Sequence, residues 1–237
     1  MIVYWCAYTE FDTISSFKFS EPESVSKIVN ASFPNLEGGN DFRTCPASRD
    51  YFKNVYELKF PCDYTLEISP DKQVMTNDYN QDYFNQMLVM RSTEYNLYAY
   101  NVRYLFLAED DLEVSQESAH FSDTAFSKNT MFVPGKLNIG KWFRALDCGF
   151  IIRNGVTRLE MKENEPYSYI RFHTEEKITF KRYHRTDKIK QLQAELTGLR
   201  FYRTKKIYRL AYFYDIFKKL KIKSLILKEI KENLMES

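Results

Sequence analysis

The 237 residues suit one large domain, or a medium one with an appendage, and a 44% hydrophobic share is enough to build a core. Seven Gly and seven Pro exclude a collagen-like or compositionally disordered chain, and four scattered Cys with three His supply no C-x-x-C pair for a structural zinc site. The formal charge of +2 hides a division: residues 181–237 carry sixteen Lys or Arg against six Asp or Glu, and residues 1–180 carry eighteen against twenty-six, an acidic body followed by a basic tail.

Eighteen Tyr and nineteen Phe favour sheet, where flat side chains pack well on a pleated surface. The opening Ile2-Val3-Tyr4-Trp5-Cys6-Ala7-Tyr8 reads as a buried strand. It lacks a basic n-region, Glu10 and Asp12 interrupt it, and no stretch reaches the ~18 apolar residues of a membrane span, so a cytoplasmic protein with reduced thiols is expected. Val25, Ile28 and Val29 recur at helical spacing within 24–32, which Pro34 ends, and 36–44 is a loop by its Gly and Asn content. Two alternating runs, 55–60 and 64–68, flank Pro61-Cys62-Asp63 as strands joined at a turn or corner. Further strands are expected at 87–91, 97–107, 142–153, 158–161, 167–172 and 177–183. This regular spacing predicts a mainly β protein, an antiparallel sandwich of jelly-roll-like form over residues 1–184.

After His184 the period changes. Thr186-Asp187 caps a helix with Ile189, Leu192 and Leu196 on one face. A second helical run starts near Thr204 and a third lies around 225–234, so residues 185–237 form a C-terminal α-helical arm. Within it Arg200, Tyr202, Arg203, Lys205, Lys206, Tyr208 and Arg209 interleave cations with rings, which suits phosphate contact and base stacking. Three outcomes stay open: the arm binds nucleic acid or an acidic protein, it lies on an anionic membrane surface, or it folds back onto its own body.

The stretch Phe132-Val133-Pro134-Gly135-Lys136-Leu137-Asn138-Ile139-Gly140-Lys141-Trp142-Phe143-Arg144, followed by Glu165-Pro166 and Tyr169-Ile170-Arg171-Phe172, resembles uncharacterised proteins encoded by tailed phages of aquatic bacteria. The resemblance implies a phage or host-cytoplasm setting and brings no activity with it. Within this stretch Trp142 and Arg144 are either core or a ligand platform. A jelly roll also admits a cupin-type metal-dependent oxygenase, for which His120, Asp123 and His173 are the available ligands. The spacing of three between His120 and Asp123 places them on opposite faces of a strand, so only a turn would bring them together. Cys45-Pro46-Ala47 is either a thiol at a helix start or an inert buried Cys, and Glu109-Asp110-Asp111 with Glu113 is a solvated turn or a cation loop without calcium-loop spacing. No phosphate loop, dinucleotide fingerprint or nucleophile elbow is present, and no cofactor is identified. The sequence favours a non-enzymatic binding or interaction protein, with the oxygenase and a virion or assembly component as alternatives.

Overall fold

The computed structural model describes residues 1–8, 19–32, 41–71, 74–76, 85, 87–101, 103–202, 217 and 221–235, with the backbone alone at 197–202. The opening apolar run forms β1 (Ile2–Tyr8), which pairs antiparallel with β8 (Arg103–Ala108) and parallel with β15 (Thr179–Arg182). Every residue of β8 is buried, because side chains on both faces of this sheet are covered. Val3, Trp5, Tyr104 and Phe106 enter the main core, while Tyr4, Cys6, Leu105 and Leu107 enter a second apolar cluster on the other face. A strand covered on both sides reads as a continuous apolar run rather than an alternating one, as Tyr104-Leu105-Phe106-Leu107 does.

Three further sheets share the main core. One has the order β11-β9-β14-β3-β2, from Gly135–Asn138, Glu113–Ser118, Pro166–Phe172, Val55–Lys59 and Glu23–Ser24. Another has the order β10-β12-β7-β6, from Thr130–Phe132, Cys148–Ile152, Leu97–Tyr100 and Leu88–Ser92. The last has the order β13-β4-β5, from Arg158–Met161, Tyr64–Ile68 and Val74–Met75. Among the described strand pairs only β1 with β15 is parallel, so the expected mainly antiparallel β architecture holds. Of the turn or corner expected at Pro61-Cys62-Asp63, a corner forms: β3 and β4 do not pair with each other but belong to different sheets.

Short helices close the edges. The expected helix α1 spans Val25–Ser32, burying Val25 and Val29. Helix α2 (Pro46–Phe52) starts with Pro at a position where the missing N–H costs nothing, and α3 (Ala125–Asn129) is capped reciprocally by Thr124 and Ser127. The basic C-terminal segment is not free where it is described. Helix α4 (Asp187–Tyr202) and helix α5 (Ile222–Glu232) lie on the outer face of the β15-β1-β8 sheet, where Ile189, Leu196, Phe217, Ile222, Ile226 and Ile230 complete the second cluster. The spacing of four between Ile222, Ile226 and Ile230 makes a stripe on one helix face, and burying each such side chain contributes roughly 1.5–3 kcal/mol. Thr186 and Lys188 both reach Glu229, tying α4 to α5. Among the described residues no helix is long and apolar enough to cross a membrane.

Two expected strands are shorter than the sequence suggests. The run 97–107 breaks at Asn101, whose backbone N–H donates to the Met87 carbonyl, and Arg103 there donates to the Tyr100 carbonyl and to the Asn101 side chain. A polar corner thus sends β7 and β8 into different sheets. The run 142–153 is strand only from Cys148. Its first half follows a turn in which Phe143 and Ala145 face the second cluster and Leu146 the main core, with one isolated bridge from Ala145 to Leu105. Strand β9 escaped the pattern because Glu-Val-Ser-Gln-Glu-Ser carries one apolar residue. Cys45 is exposed at the start of α2 rather than buried, and backbone N–H groups of Ser48 and Ala47 lower its thiol pKa.

Candidate ligand crevice

Trp142 and Arg144 line one crevice of about 290 Å³, together with Arg91, Gln116, Lys136 and Asp147. It lies where the chain leaves edge strand β10 and passes through Val133-Pro134 into edge strand β11 of another sheet. The segment carrying Trp142 is anchored by a close backbone approach: a Cβ on Gly140 would fall 1.8 Å from the Asp110 carbonyl oxygen, so only glycine fits there. Asn138 holds the same turn, accepting from the backbone N–H groups of Leu112 and Gly140. Trp142 itself is 9% exposed and Arg144 is half-buried, so the indole offers little open surface for stacking.

Strand periodicity places the other residues. In β9, Val114 and Gln116 point to the core face while Glu113, Ser115 and Glu117 point away. Gln116 is 4% exposed, and its side-chain nitrogen has no hydrogen-bond partner. Directly across the ladder from Gln116 is Gly135, where an added Cβ would meet nothing within 4 Å. The position opposite Gln116 in the ladder is therefore unfilled, while the Gln116 side-chain nitrogen itself stays buried. On the far sheet the pairing of β6 with β7 shifts between Met90 and Ser92, leaving Arg91 as the extra residue of a bulge, a device that re-aims a side chain. Arg91 then donates to both Asp147 oxygens, at 2.6 and 3.0 Å. Next to Asp147, burial pushes the Cys148 thiol pKa up, with the Asp147 charge adding to the shift and Arg103 and Arg91 opposing it. That thiol lies in the main core and does not line the crevice. Arg91, Gln116 and Asp147 were not singled out from sequence; the usable signal for Gln116 was its even spacing from Val114, which puts an amide on the buried face.

The three residues considered for metal binding are not assembled into such a site. His120 is exposed at the end of β9, its Nδ1 3.0 Å from the Ser118 carbonyl and its Nε2 3.5 Å from the Tyr51 hydroxyl. Asp123 is exposed and pairs with Lys128 at 2.9 Å, and His173 sits with Nε2 3.0 Å from the Ser115 hydroxyl. Partial burial lowers the His173 pKa, helped by Lys136 and Arg171. Among the described residues no group of three or more His, Cys, Asp or Glu is placed to hold a metal ion.

Of the basic positions in the arm, Arg200 and Tyr202 lie in the last turn of α4, while Arg203, Lys205, Lys206, Tyr208 and Arg209 lie outside the described residues. The acidic run has an internal role. Glu109 accepts the Tyr4 hydroxyl at 2.7 Å and pairs with Lys231 at 2.9 Å, and the Lys223 ammonium donates to the carbonyls of Glu109 and Gly140. A broader groove of about 940 Å³ runs between α1, α2 and the start of β15. Its lining mixes Glu21, Glu23 and Asp50 with Lys27, Arg49 and Lys53, and includes none of the buried unpartnered polar atoms found among the described residues. No protein-family model matches the chain, and no curated protein does either.

Proposed function

We propose that the protein is a non-enzymatic binding protein and that the crevice beside Trp142 and Arg144 takes a small ligand. The observation that carries the reading is Gln116, 4% exposed with its side-chain nitrogen unpartnered, in a crevice lining where its cross-strand neighbour Gly135 leaves space unfilled. A buried donor left without a partner costs roughly 1–3 kcal/mol, a cost that a ligand acceptor in the crevice would offset. The volume of about 290 Å³ is near the lower end of small-molecule sites and suits a compact ligand. Its described lining contains no Ser, Thr, Cys or His, and its one carboxylate, Asp147, is held by two hydrogen bonds from Arg91, which supports binding over turnover. The same reading takes the sheets as a jelly-roll-like sandwich with the crevice at its rim. The passage from one sheet edge to another through Val133-Pro134 and the core common to the sheets support that form.

The test is a fragment screen by thermal shift on the full chain, run in parallel on Gly135→Leu. The added side chain has open space in front of it and closes the crevice without strain at a non-positive φ. Fragments are expected that raise the melting temperature of the native sequence and have no effect on Gly135→Leu, whose own melting is close to native. A screen with no such fragment, or with fragments acting equally on both proteins, would contradict the reading.

A further inference from the structure

We propose that the outer edge of β15 takes an added strand from a partner: an extended peptide, antiparallel to β15, that alternates apolar and acidic residues. Strand β15 ends its sheet, with β1 on one side only. The backbone N–H groups of Thr179 and Tyr183 donate to the carbonyls of Met1 and Trp5, so odd positions of the strand face β1 and even positions face outward. At Arg182 that outward edge is already in use: Met235 donates to its carbonyl, and a bridge from Leu234 to Tyr183 begins an antiparallel pairing. Two residues back, the outward N–H and carbonyl of Phe180 meet no backbone partner among the described residues. The edge thus accepts a strand at one end and leaves the next pairing position open.

The surroundings of the open position select the occupant. Lys177, Ile178, Thr179 and Phe180 form one side of the groove of about 940 Å³, whose other side comes from β2, α1 and α2, a shape that suits a single strand rather than the edge of a second sheet. Ile178 is buried in the main core and Phe180 packs against it with its ring 4.9 Å from that of Tyr56, so residues opposite these two share an apolar face. On the other face Lys177 and Lys181 are exposed, and neither has an ion-pair partner among the described residues; the adjacent Glu175 and Glu176 are held by Lys53 and the N-terminal ammonium. A side chain opposite Thr179 is the diagonal neighbour of both lysines, so an acidic residue there meets two cations. A second copy of β15 would pair even positions with even and bring the lysines of both strands onto one face. Like charge therefore disfavours self-pairing and favours an acidic strand.

Fluorescence anisotropy of the full chain with labelled, end-blocked Val-Glu-Val-Glu-Val tests this, beside Val-Lys-Val-Lys-Val and a form of the acidic peptide N-methylated at each Val. N-methylation keeps the side chains and removes the donors that reach β15. The acidic peptide is expected to bind saturably, and roughly tenfold or more tightly than either control. Lys181→Glu, at an exposed position, is expected to weaken it several-fold and to narrow its lead over the lysine peptide, with a melting curve to check the fold. In a nitrogen-15 correlation spectrum the Phe180 amide is expected to shift on binding. No saturable binding at solubility-limited concentration, equal binding of either control, or no effect of Lys181→Glu would overturn the proposal. So would binding that leaves the Phe180 amide in place. Self-association of the protein that shifts the same amide would put a second copy on this edge and overturn it too.

Discussion

Two buried polar side chains on the five-stranded sheet, Gln116 and Glu57, sit in opposite electrostatic situations. Gln116 is neutral, on the core face of β9 and in the crevice lining, and its side-chain nitrogen has no partner. Glu57 is 5% exposed on β3, opposite Glu23 in the ladder, with Lys59 3.8 Å away and closer to Glu23. Burial raises the Glu57 pKa to about 7, with Glu23 adding to the rise and Lys59 opposing it. A carboxyl whose folded pKa is raised holds its proton more tightly in the native state, so its contribution to stability is full below about 4.5 and is lost as pH rises toward about 7. Glu57→Gln is therefore expected to stabilise the protein at pH 8 by on the order of 1 kcal/mol, and by much less at pH 4.5. Urea denaturation at the two pH values measures this, and an equal effect at both would rule out a raised Glu57.

At the scale of elements, the C-terminal helices act as the second wall of the β15-β1-β8 sheet. The sequence shows their amphipathic stripes, since Ile189, Leu192 and Leu196 recur at helical spacing, and it shows the charge division between body and tail. It does not show that the acidic run at 109–111 is one docking point, because the Lys223 and Lys231 contacts join residues more than a hundred positions apart. Ile226 is fully buried at the centre of α5. Ile226→Ala is expected to destabilise the protein by roughly 2–5 kcal/mol, as other core truncations of this size do. It should also raise amide hydrogen exchange in 222–232 and in β8 together. Exchange rising in the helix alone would mean that the two do not form one cooperative unit.

Across the whole molecule, what was legible was whatever a single segment carries. Strands β4, β13 and β14 and helix α1 follow from local alternation or helical spacing in their own residues. The turn at 142–147 was not legible, because Phe143, Ala145 and Leu146 are apolar for two different clusters and mimic a strand. The crevice was half legible: Trp142 and Arg144 stood out as an aromatic and a cation in one segment. Asp147 ends that same turn, but Arg91, Gln116 and Lys136 come from three other places in the chain and meet it only when β6, β9 and β11 are assembled.

The central claim is that this assembled crevice is a ligand site, and its most direct test uses the two tryptophans of the chain. Trp142 lines the crevice, whereas Trp5 lies in the main core under Arg182 and does not. In a nitrogen-15 correlation spectrum each gives one indole N–H resonance, and Trp142→Phe assigns them. On titration with phenyl phosphate or benzamide, whichever binds, the Trp142 indole resonance is expected to shift saturably while that of Trp5 stays in place, and Gly135→Leu is expected to abolish the shift. A saturable shift confined to Trp5, or no shift of either resonance with both compounds at solubility-limited concentration, would contradict the account.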